Sequence, residues 1–168
     1  MISKLGIQSG PSGIAQTLVA MQGLIVDSDS HREVKDTAVA IIKDIQPNEH
    51  KEQVDAIAAW VRGHMKYVRD INGVEEVQAP HILLAKIAQQ GWAYGDCDDY
   101  ATLIATLLRA VGFRTRLEAV AVEADQYNHA RMSVYFDGNW LAIEGTKDWP
   151  VGSRYASNLD VMFVEPQG

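Results

Sequence analysis

The residues best suited to chemistry are the single cysteine, Cys97, and the acidic residues beside it. Gly95 permits a tight turn, and Asp96 can cap the helix that the apolar residues after it predict. Cys97 then lies at a helix start, where backbone N–H groups and the helix dipole favour a thiolate. Asp98 and Asp99 oppose that charge, so an unusually reactive thiol needs a cationic partner. The competing interpretation is a small buried core residue, because free cysteines are commonly buried.

A histidine and an acid meet if the second half of the chain forms a hairpin. Residues 129–136 and 139–144 read as strands, and the Asp-Gly pair between them predicts a two-residue turn. In that register Arg131 faces Glu144, and His129 lies on the same face as a diagonal neighbour of Glu144. A cysteine, a histidine and an acid are the nucleophile, base and orienting group of a thiol hydrolase.

Three segments together resemble the transglutaminase-like superfamily, which includes microbial cysteine peptidases and has a papain-like fold. They are residues 95–101 (GDCDDYA), His129 with Ala130 at the start of the hairpin, and residues 140–146 (WLAIEGT). The resemblance covers roughly residues 54–146. It implies that Cys97 is the nucleophile, that His129 is the base, and that the acid on the strand after the turn completes the triad.

The third member of the triad has more than one candidate. Family members usually carry an aspartate followed by proline and threonine, where this chain has Glu144 followed by glycine and threonine. We expect Glu144 to orient His129. Arg131 could instead hold Glu144 in an ordinary cross-strand ion pair, and Asp148 would then be the alternative third member. A Cys97–His129 dyad is the remaining possibility.

The oxyanion site is expected at the backbone N–H of Cys97. A side chain upstream is expected to supply the second donor or to line the cleft, and the candidates are Gln90, Trp92 and Tyr94. No metal or other cofactor is expected. The histidines outside the hairpin, His31, His50, His64 and His81, show no metal-ligand spacing with one another or with the cysteine.

The elements that position these residues predict an α+β fold, because helices come first and strands follow. Apolar spacing predicts helices from about 11 or 12, after Ser30 up to Pro47, from about 48 to 67, from Pro80 to Gly91, and from Cys97 to Gly112. Ser30 and Glu33 form a possible capping box. Strands are predicted at 116–123, 129–136, 139–144 and 161–164. The resemblance implies a papain-like, transglutaminase-like arrangement of N-terminal helices packed on an antiparallel sheet, with the nucleophile at the start of a central helix.

The whole-chain properties set the class of protein. A length of 168 residues suits a single domain over 1–168, in which 1–46 form a helical N-terminal extension and 47–168 the core. A net charge of −7 argues against a nucleic-acid partner. No signal peptide or membrane span is evident, and a single cysteine suits a reducing compartment, so we expect a cytoplasmic protein. The oligomeric state is undefined by the sequence.

Three functions fit these features. The favoured one is a cysteine peptidase or amidase that acts on a peptide or protein through a thioester acyl-enzyme. An amide-forming acyltransferase would use the same three residues. A non-catalytic binding or assembly module would keep only the fold.

Overall fold

A computed structural model describes residues 3–4, 11–69, 76–121, 129–153 and 161–164. The helices are α1 (Pro11–Asp29), α2 (Arg32–Ile42), α3 (His50–His64), α4 (Pro80–Gln90) and α5 (Cys97–Ala110). The strands are β1 (Ser3–Lys4), β2 (Met65–Tyr67), β3 (Glu76–Val77), β4 (Ala93–Gly95), β5 (Arg114–Val120), β6 (His129–Phe136), β7 (Asn139–Ile143) and β8 (Val161–Val164). The predicted α+β class is confirmed.

The main sheet is antiparallel, with the strand order β7-β6-β5-β8. Tyr135 pairs with Trp140 across the hairpin, as the sequence predicts. Asp137 and Gly138 have φ angles of 49° and 82°, which are the positive values that a type I′ turn requires at both central positions. The predicted two-residue turn and its register are therefore confirmed.

Helix α5 lies at the centre of the molecule. It contacts α1, α2, α3 and α4 as well as strands β5 and β6 of the sheet. Its residues from Leu103 to Leu108 are buried, and all of them except Thr106 belong to the hydrophobic core. Leu117 and Met132 of the sheet are fully buried in the same core. This packing holds α5 against the sheet and so fixes the position of Cys97, its first residue.

Several predicted boundaries are wrong. Helix α2 begins after His31, which makes no side-chain cap, while the Ser30 hydroxyl donates to the Asp27 carbonyl at 3.0 Å. The helix ends at Ile42, before Pro47. Strand β5 begins at Arg114 and ends at Val120, and residues 122 and 123 of the predicted strand lie outside the described residues.

The predicted third helix stops short because its last residues join a sheet. Met65–Tyr67 form β2, which pairs in parallel with β4, so that Tyr67 lies opposite Gly95. This pairing joins segments about thirty positions apart, and helical periodicity in one segment gives no sign of it. Among the described residues, no helix is both long enough and apolar enough to cross a membrane.

Candidate active site

The start of α5 is fixed by its own acidic residues. The Asp96 carboxylate accepts the backbone N–H of Asp98 at 3.1 Å, and Asp99 accepts the backbone N–H of Asp96 at 3.3 Å. This reciprocal pair is a capping box, and it confirms Asp96 as the cap. A Cβ on Gly95 would lie 2.6 Å from atoms of Asp99, so the turn has room only for glycine. Cys97 is therefore the first residue of α5.

A network around Gln78, which the sequence reasoning missed, ties this turn to the segment before α4. Asp99 accepts the backbone N–H of Gln78 at 2.7 Å and its side-chain amide at 3.1 Å. The same amide donates to the carbonyl of Tyr94 at 2.9 Å, and Lys86 donates to the amide oxygen at 2.6 Å. A buried aspartate at a helix start and a glutamine far away in sequence carry no local signal of their pairing.

The Cys97 thiol lies in surroundings that favour its neutral form. Burial raises the pKa of Cys97 most, and the charges of Asp98 and Asp96 raise it further. The thiol lies 3.6 Å from a carboxylate oxygen of Asp98, to which it can donate. A backbone hydrogen bond from Ala130 lowers the pKa, but the net direction is well above the ordinary value. Burial and the acidic neighbours therefore oppose the effect of the helix start, and the unusually reactive thiol stays a prediction.

The same backbone hydrogen bond shows where the thiol points. Ala130 is the residue after His129, so the Cys97 sulphur lies against the first residues of β6. The start of the central helix and the start of the hairpin therefore meet at Cys97, as the sequence predicts from two segments over thirty positions apart.

His129 and Glu144 form a buried pair. The Nε2 atom of His129 lies 2.7 Å and 2.9 Å from the two carboxylate oxygens of Glu144. The Thr146 hydroxyl donates to the same carboxylate at 3.1 Å. The exposed fraction is 14% for the His129 side chain and 2% for that of Glu144, so water competes little for the contact. A carboxylate so placed selects the tautomer that carries its proton on Nε2.

The alternative partners weighed for the triad lie elsewhere. Arg131 does not take Glu144, because its Nε donates to Glu118 on β5 at 2.8 Å. Asp148 is fully exposed and lies 3.8 Å from Arg62 of α3. Arg62 also donates to the main-chain carbonyl of Glu144 at 2.9 Å. Of the two candidate acids, the structure brings Glu144 to His129 and directs Asp148 to an arginine.

The side chains expected near the oxyanion site contact one another. Gln90 donates to the carbonyl of Trp92 at 3.0 Å. The Trp92 ring lies under the ammonium group of Lys66 at 3.9 Å and beside the Tyr94 ring at 4.7 Å. These contacts form an exposed aromatic surface at the β2–β4 pair. Among the described residues, none of these three side chains makes a hydrogen bond to the Cys97 sulphur.

Tyr67 is a residue near Cys97 that sequence reasoning missed. Burial raises the pKa of its hydroxyl, and the nearby Cys97 raises it further. The ring is half exposed, and it lies 6.5 Å from the Tyr100 ring. Tyr67 reaches this place because β2 pairs with β4 directly before the helix that carries Cys97. The only local signal was an exposed aromatic residue at the end of an apolar segment.

One group of residues has the spacing of metal ligands. Asp96, Cys97 and Asp98 each place a ligand atom within 4.8 Å of the others, and this is the group of that kind among the described residues. Asp96 caps α5 and Asp98 lies beside the thiol, so helix capping already accounts for much of the arrangement. These three residues are the ones that could hold a metal ion.

Comparison with known proteins identifies the family of the chain and supports its fold. The family model described as the transglutaminase-like superfamily matches residues 35–145. A crystal structure described as a candidate cysteine protease from Cytophaga hutchinsonii has a TM-score of 0.57 and 16% identity over 90% of this chain. A candidate protease from Parabacteroides distasonis has a TM-score of 0.56 and 17% identity over 80% of the chain.

A third solved structure, described as a TGase, has a TM-score of 0.44 and 19% identity; the match covers 91% of this chain and 37% of that one. The chain spans 56% of the Cytophaga protein and 27% of the Parabacteroides protein. No curated protein matches the chain.

Proposed function

Because the chain belongs to the transglutaminase-like superfamily, we propose that it is a cysteine-dependent hydrolase of a peptide or amide bond. The reaction runs through a thioester on Cys97, and the substrate is a peptide or protein. We further propose that it acts in the cytoplasm, where a free thiol stays reduced.

The observation that carries the proposal is the bond from His129 to Glu144, because the backbone of the next residue, Ala130, contacts the Cys97 thiol. Both carboxylate oxygens of Glu144 lie within 2.9 Å of Nε2. A histidine held in this way has a defined tautomer, and its cationic form is stabilised while it holds a second proton. A purely structural histidine does not need to precede the residue whose backbone contacts the single cysteine of the chain.

The chemistry follows from the tautomer. With its proton on Nε2, His129 accepts the Cys97 proton through Nδ1. The sulphur then attacks the carbonyl carbon, and the negative charge passes to the carbonyl oxygen. When the C–N bond breaks, the amine leaves with a proton from the imidazolium, and a thioester remains. Water, deprotonated by His129, attacks the thioester, and the carboxylic acid and the free thiol are released.

The raised pKa of Cys97 determines when the proton moves. A thiol that is neutral at rest must lose its proton as the substrate arrives, so we propose that His129 acts as a general base during attack and not as the partner of a stored ion pair. The substrate carbonyl excludes water and offers a new acceptor for the charge. Activation is therefore coupled to substrate binding.

We propose that the backbone N–H of Cys97 stabilises the developing oxyanion through a hydrogen bond. The first N–H groups of a helix have no acceptor within the helix, and they point out from its start. We propose Tyr67 as the second group at this place, because it is close enough for Cys97 to affect its pKa. The cleft is then lined, away from the reacting carbonyl, by the side chains of Gln90, Trp92 and Tyr94, which contact the substrate.

A non-catalytic binding or assembly module is the second candidate function. The observation that favours it is the raised pKa of Cys97, which is the opposite of what a stored thiolate requires. In that case the pair of His129 and Glu144 would only stabilise the hairpin.

One experiment tests the proposal. A panel of fluorogenic peptide amides and a thioester is incubated with the protein, with and without an added primary amine. We expect release of the acid product with the wild type and none with Cys97→Ala, together with a mass increase on Cys97 when a substrate is trapped at low pH. Transfer of the acyl group to the amine in preference to water would identify an acyltransferase. No turnover and no acyl-enzyme would contradict the proposal and support the binding module.

A further inference from the structure

A second buried carboxylate lies on the same face of the sheet as the His129–Glu144 pair. Glu118 of β5 is 2% exposed. One of its oxygens accepts Arg131 Nε at 2.8 Å, and the other accepts Arg116 Nε at 3.1 Å and the hydroxyl of Ser133. These donors come from β5 itself and from the neighbouring strand β6. Glu118 therefore accepts hydrogen bonds from two arginines of this face, Arg116 and Arg131.

Arg131 stands between two carboxylates. On one side it pairs directly with Glu118 across β5 and β6. On the other side Met132 pairs with Ile143, so that the next step of the ladder places Glu144 across from Arg131. His129 lies two residues before Arg131 and shares its face of the strand. The guanidinium group can therefore be directed to either carboxylate, and the structure has it on Glu118.

We propose that Glu118 is a positioning residue, which holds Arg131 on β5 and so reserves the Glu144 carboxylate for His129. The proposal rests on the proposed function only in taking His129 as the base. Without the charge of Glu118, a buried guanidinium is left with an uncharged partner, and that is costly. Glu144 is the carboxylate across the other neighbouring strand, and Arg131 would compete with the imidazole for it.

The other cation near Glu144 is directed to different atoms. Arg62 donates to the main-chain carbonyl of Glu144 at 2.9 Å, and its second nitrogen lies 3.8 Å from Asp148. Arg62 therefore supports the backbone of Glu144 from α3, whereas the Glu144 carboxylate contacts His129 and Thr146. Arg131 is the arginine whose release would change the acceptor of the imidazole.

The test uses the Nε2–H proton of His129, whose NMR resonance reports its hydrogen bond to a carboxylate. A His129→Gln variant assigns the resonance. In Glu118→Gln we expect the signal to move upfield or to vanish through exchange, and turnover to fall at least about tenfold, which is about 1.4 kcal/mol. In the double variant Glu118→Gln with Arg131→Gln, no guanidinium competes, so both the signal and the turnover should return.

Arg116→Gln is the matched control. It removes another cation from Glu118, but its ladder partner is Ser133 and not a residue opposite Glu144. We expect the His129 signal to stay in place. If Arg116→Gln disturbs the signal as much as Glu118→Gln does, general loosening of the network is the cause and the proposal fails.

Two further outcomes would overturn the proposal. One is a Glu118→Gln protein that unfolds at lower temperature with the His129 signal and turnover unchanged. The other is a double variant that loses the signal as the single variant does. If Glu118→Gln alone does not fold, the double variant and Arg131→Gln decide the matter, since neither keeps the competing guanidinium: a signal in the wild-type position supports the proposal, and loss of the signal in either variant overturns it. The NMR signal can be measured without turnover. An inactive protein would therefore refute the proposed function, and the signal would still test the role of Glu118.

Discussion

The start of α5 and the β6–β7 hairpin bring opposite electrostatic properties to the candidate cleft. At the helix start, two aspartates and burial keep the proton on Cys97. On the hairpin, a buried carboxylate contacts the Nε2 atom of His129 through both of its oxygens. The surroundings of the helix start favour the neutral thiol of Cys97, and the hairpin fixes the orientation of the His129 imidazole.

This difference indicates that the hairpin is preorganised and the nucleophile is not. A preorganised base needs no rearrangement when the substrate arrives. A protonated thiol avoids oxidation and unwanted alkylation at rest, because the thiolate is the reactive form. The predictions that follow break or sharpen this contrast, beginning with the largest effect.

Removal of the base should have the largest effect. We expect His129→Ala to lower the turnover of a peptide amide at least about a thousandfold, since His129 is the proposed acceptor of the thiol proton. Circular dichroism should show a folded protein. His50→Ala is the control, because His50 is an exposed histidine that bonds Asp137 at 2.8 Å, and its loss should leave turnover unchanged. A His129→Ala protein with near-normal turnover would show that Cys97 does not need His129, and that His129 is not the base.

Removal of the orienting charge should have the next largest effect. We expect Glu144→Gln to lower turnover about a hundredfold, because the amide cannot stabilise the imidazolium. Glu144→Asp should lose less, since it keeps the charge. Asp148→Asn is the matched control, and it should stay within about twofold of the wild type because Asp148 lies on Arg62. Equal losses of turnover in Glu144→Gln and Asp148→Asn would show that catalysis does not depend on the orientation of His129 by the Glu144 carboxylate.

The helix start can be altered without touching the hairpin. Asp98→Asn removes a charge that raises the pKa of Cys97 and keeps the side-chain shape. We expect iodoacetamide to alkylate Cys97 about tenfold faster at pH 7, because one pKa unit multiplies the thiolate fraction by about ten. Asp55→Asn, at an exposed ion pair with Lys51, should leave the rate unchanged. An Asp98→Asn rate equal to that of the wild type would show that burial alone protects the thiol.

The smallest effect concerns stability as a function of pH. The pKa of Cys97 is raised in the folded protein, so above the ordinary thiol pKa of about 8.5 the unfolded chain loses a proton that the folded chain keeps. Unfolding then becomes easier as pH rises, and the free energy of unfolding falls by at most about 1.4 kcal/mol per pH unit from this group.

Urea unfolding at a series of pH values between about 7 and 10 measures this slope. Cys97→Ser does not titrate in this range, and we expect its curve to be flatter than that of the wild type. Parallel curves for the two proteins would mean that the folded and unfolded thiols titrate alike, and the contrast between the two sides of the cleft would then be lost.

The hairpin could be predicted from the sequence in detail because its rules are local. An Asp-Gly pair between two alternating segments determines the turn, and the turn determines the register. The register then places Glu144 beside His129. The cap at Asp96 was also predictable, because capping depends on residues within one helical turn. For these parts of the site, the neighbours that matter lie close along the chain.

The parallel pair of β2 and β4 was not predictable in this way. Met65–Tyr67 continue an apolar helical pattern, and only β4, some thirty positions later, draws them into a strand. Tyr67 was missed for that reason. A three-residue strand carries too little periodicity to identify itself.

What the sequence by itself determined is the set of chemical groups and the faces they occupy: Cys97 at a helix start, and His129 and Glu144 on one side of a hairpin. Tertiary structure alone decided how the charges are distributed among partners. It pairs Arg131 with Glu118 and Asp148 with Arg62, and it places Cys97 in a partly buried position beside Asp96 and Asp98. The physical reason is that turns and caps depend on backbone geometry over a few residues, whereas burial and the choice between competing ion-pair partners depend on every element that packs nearby.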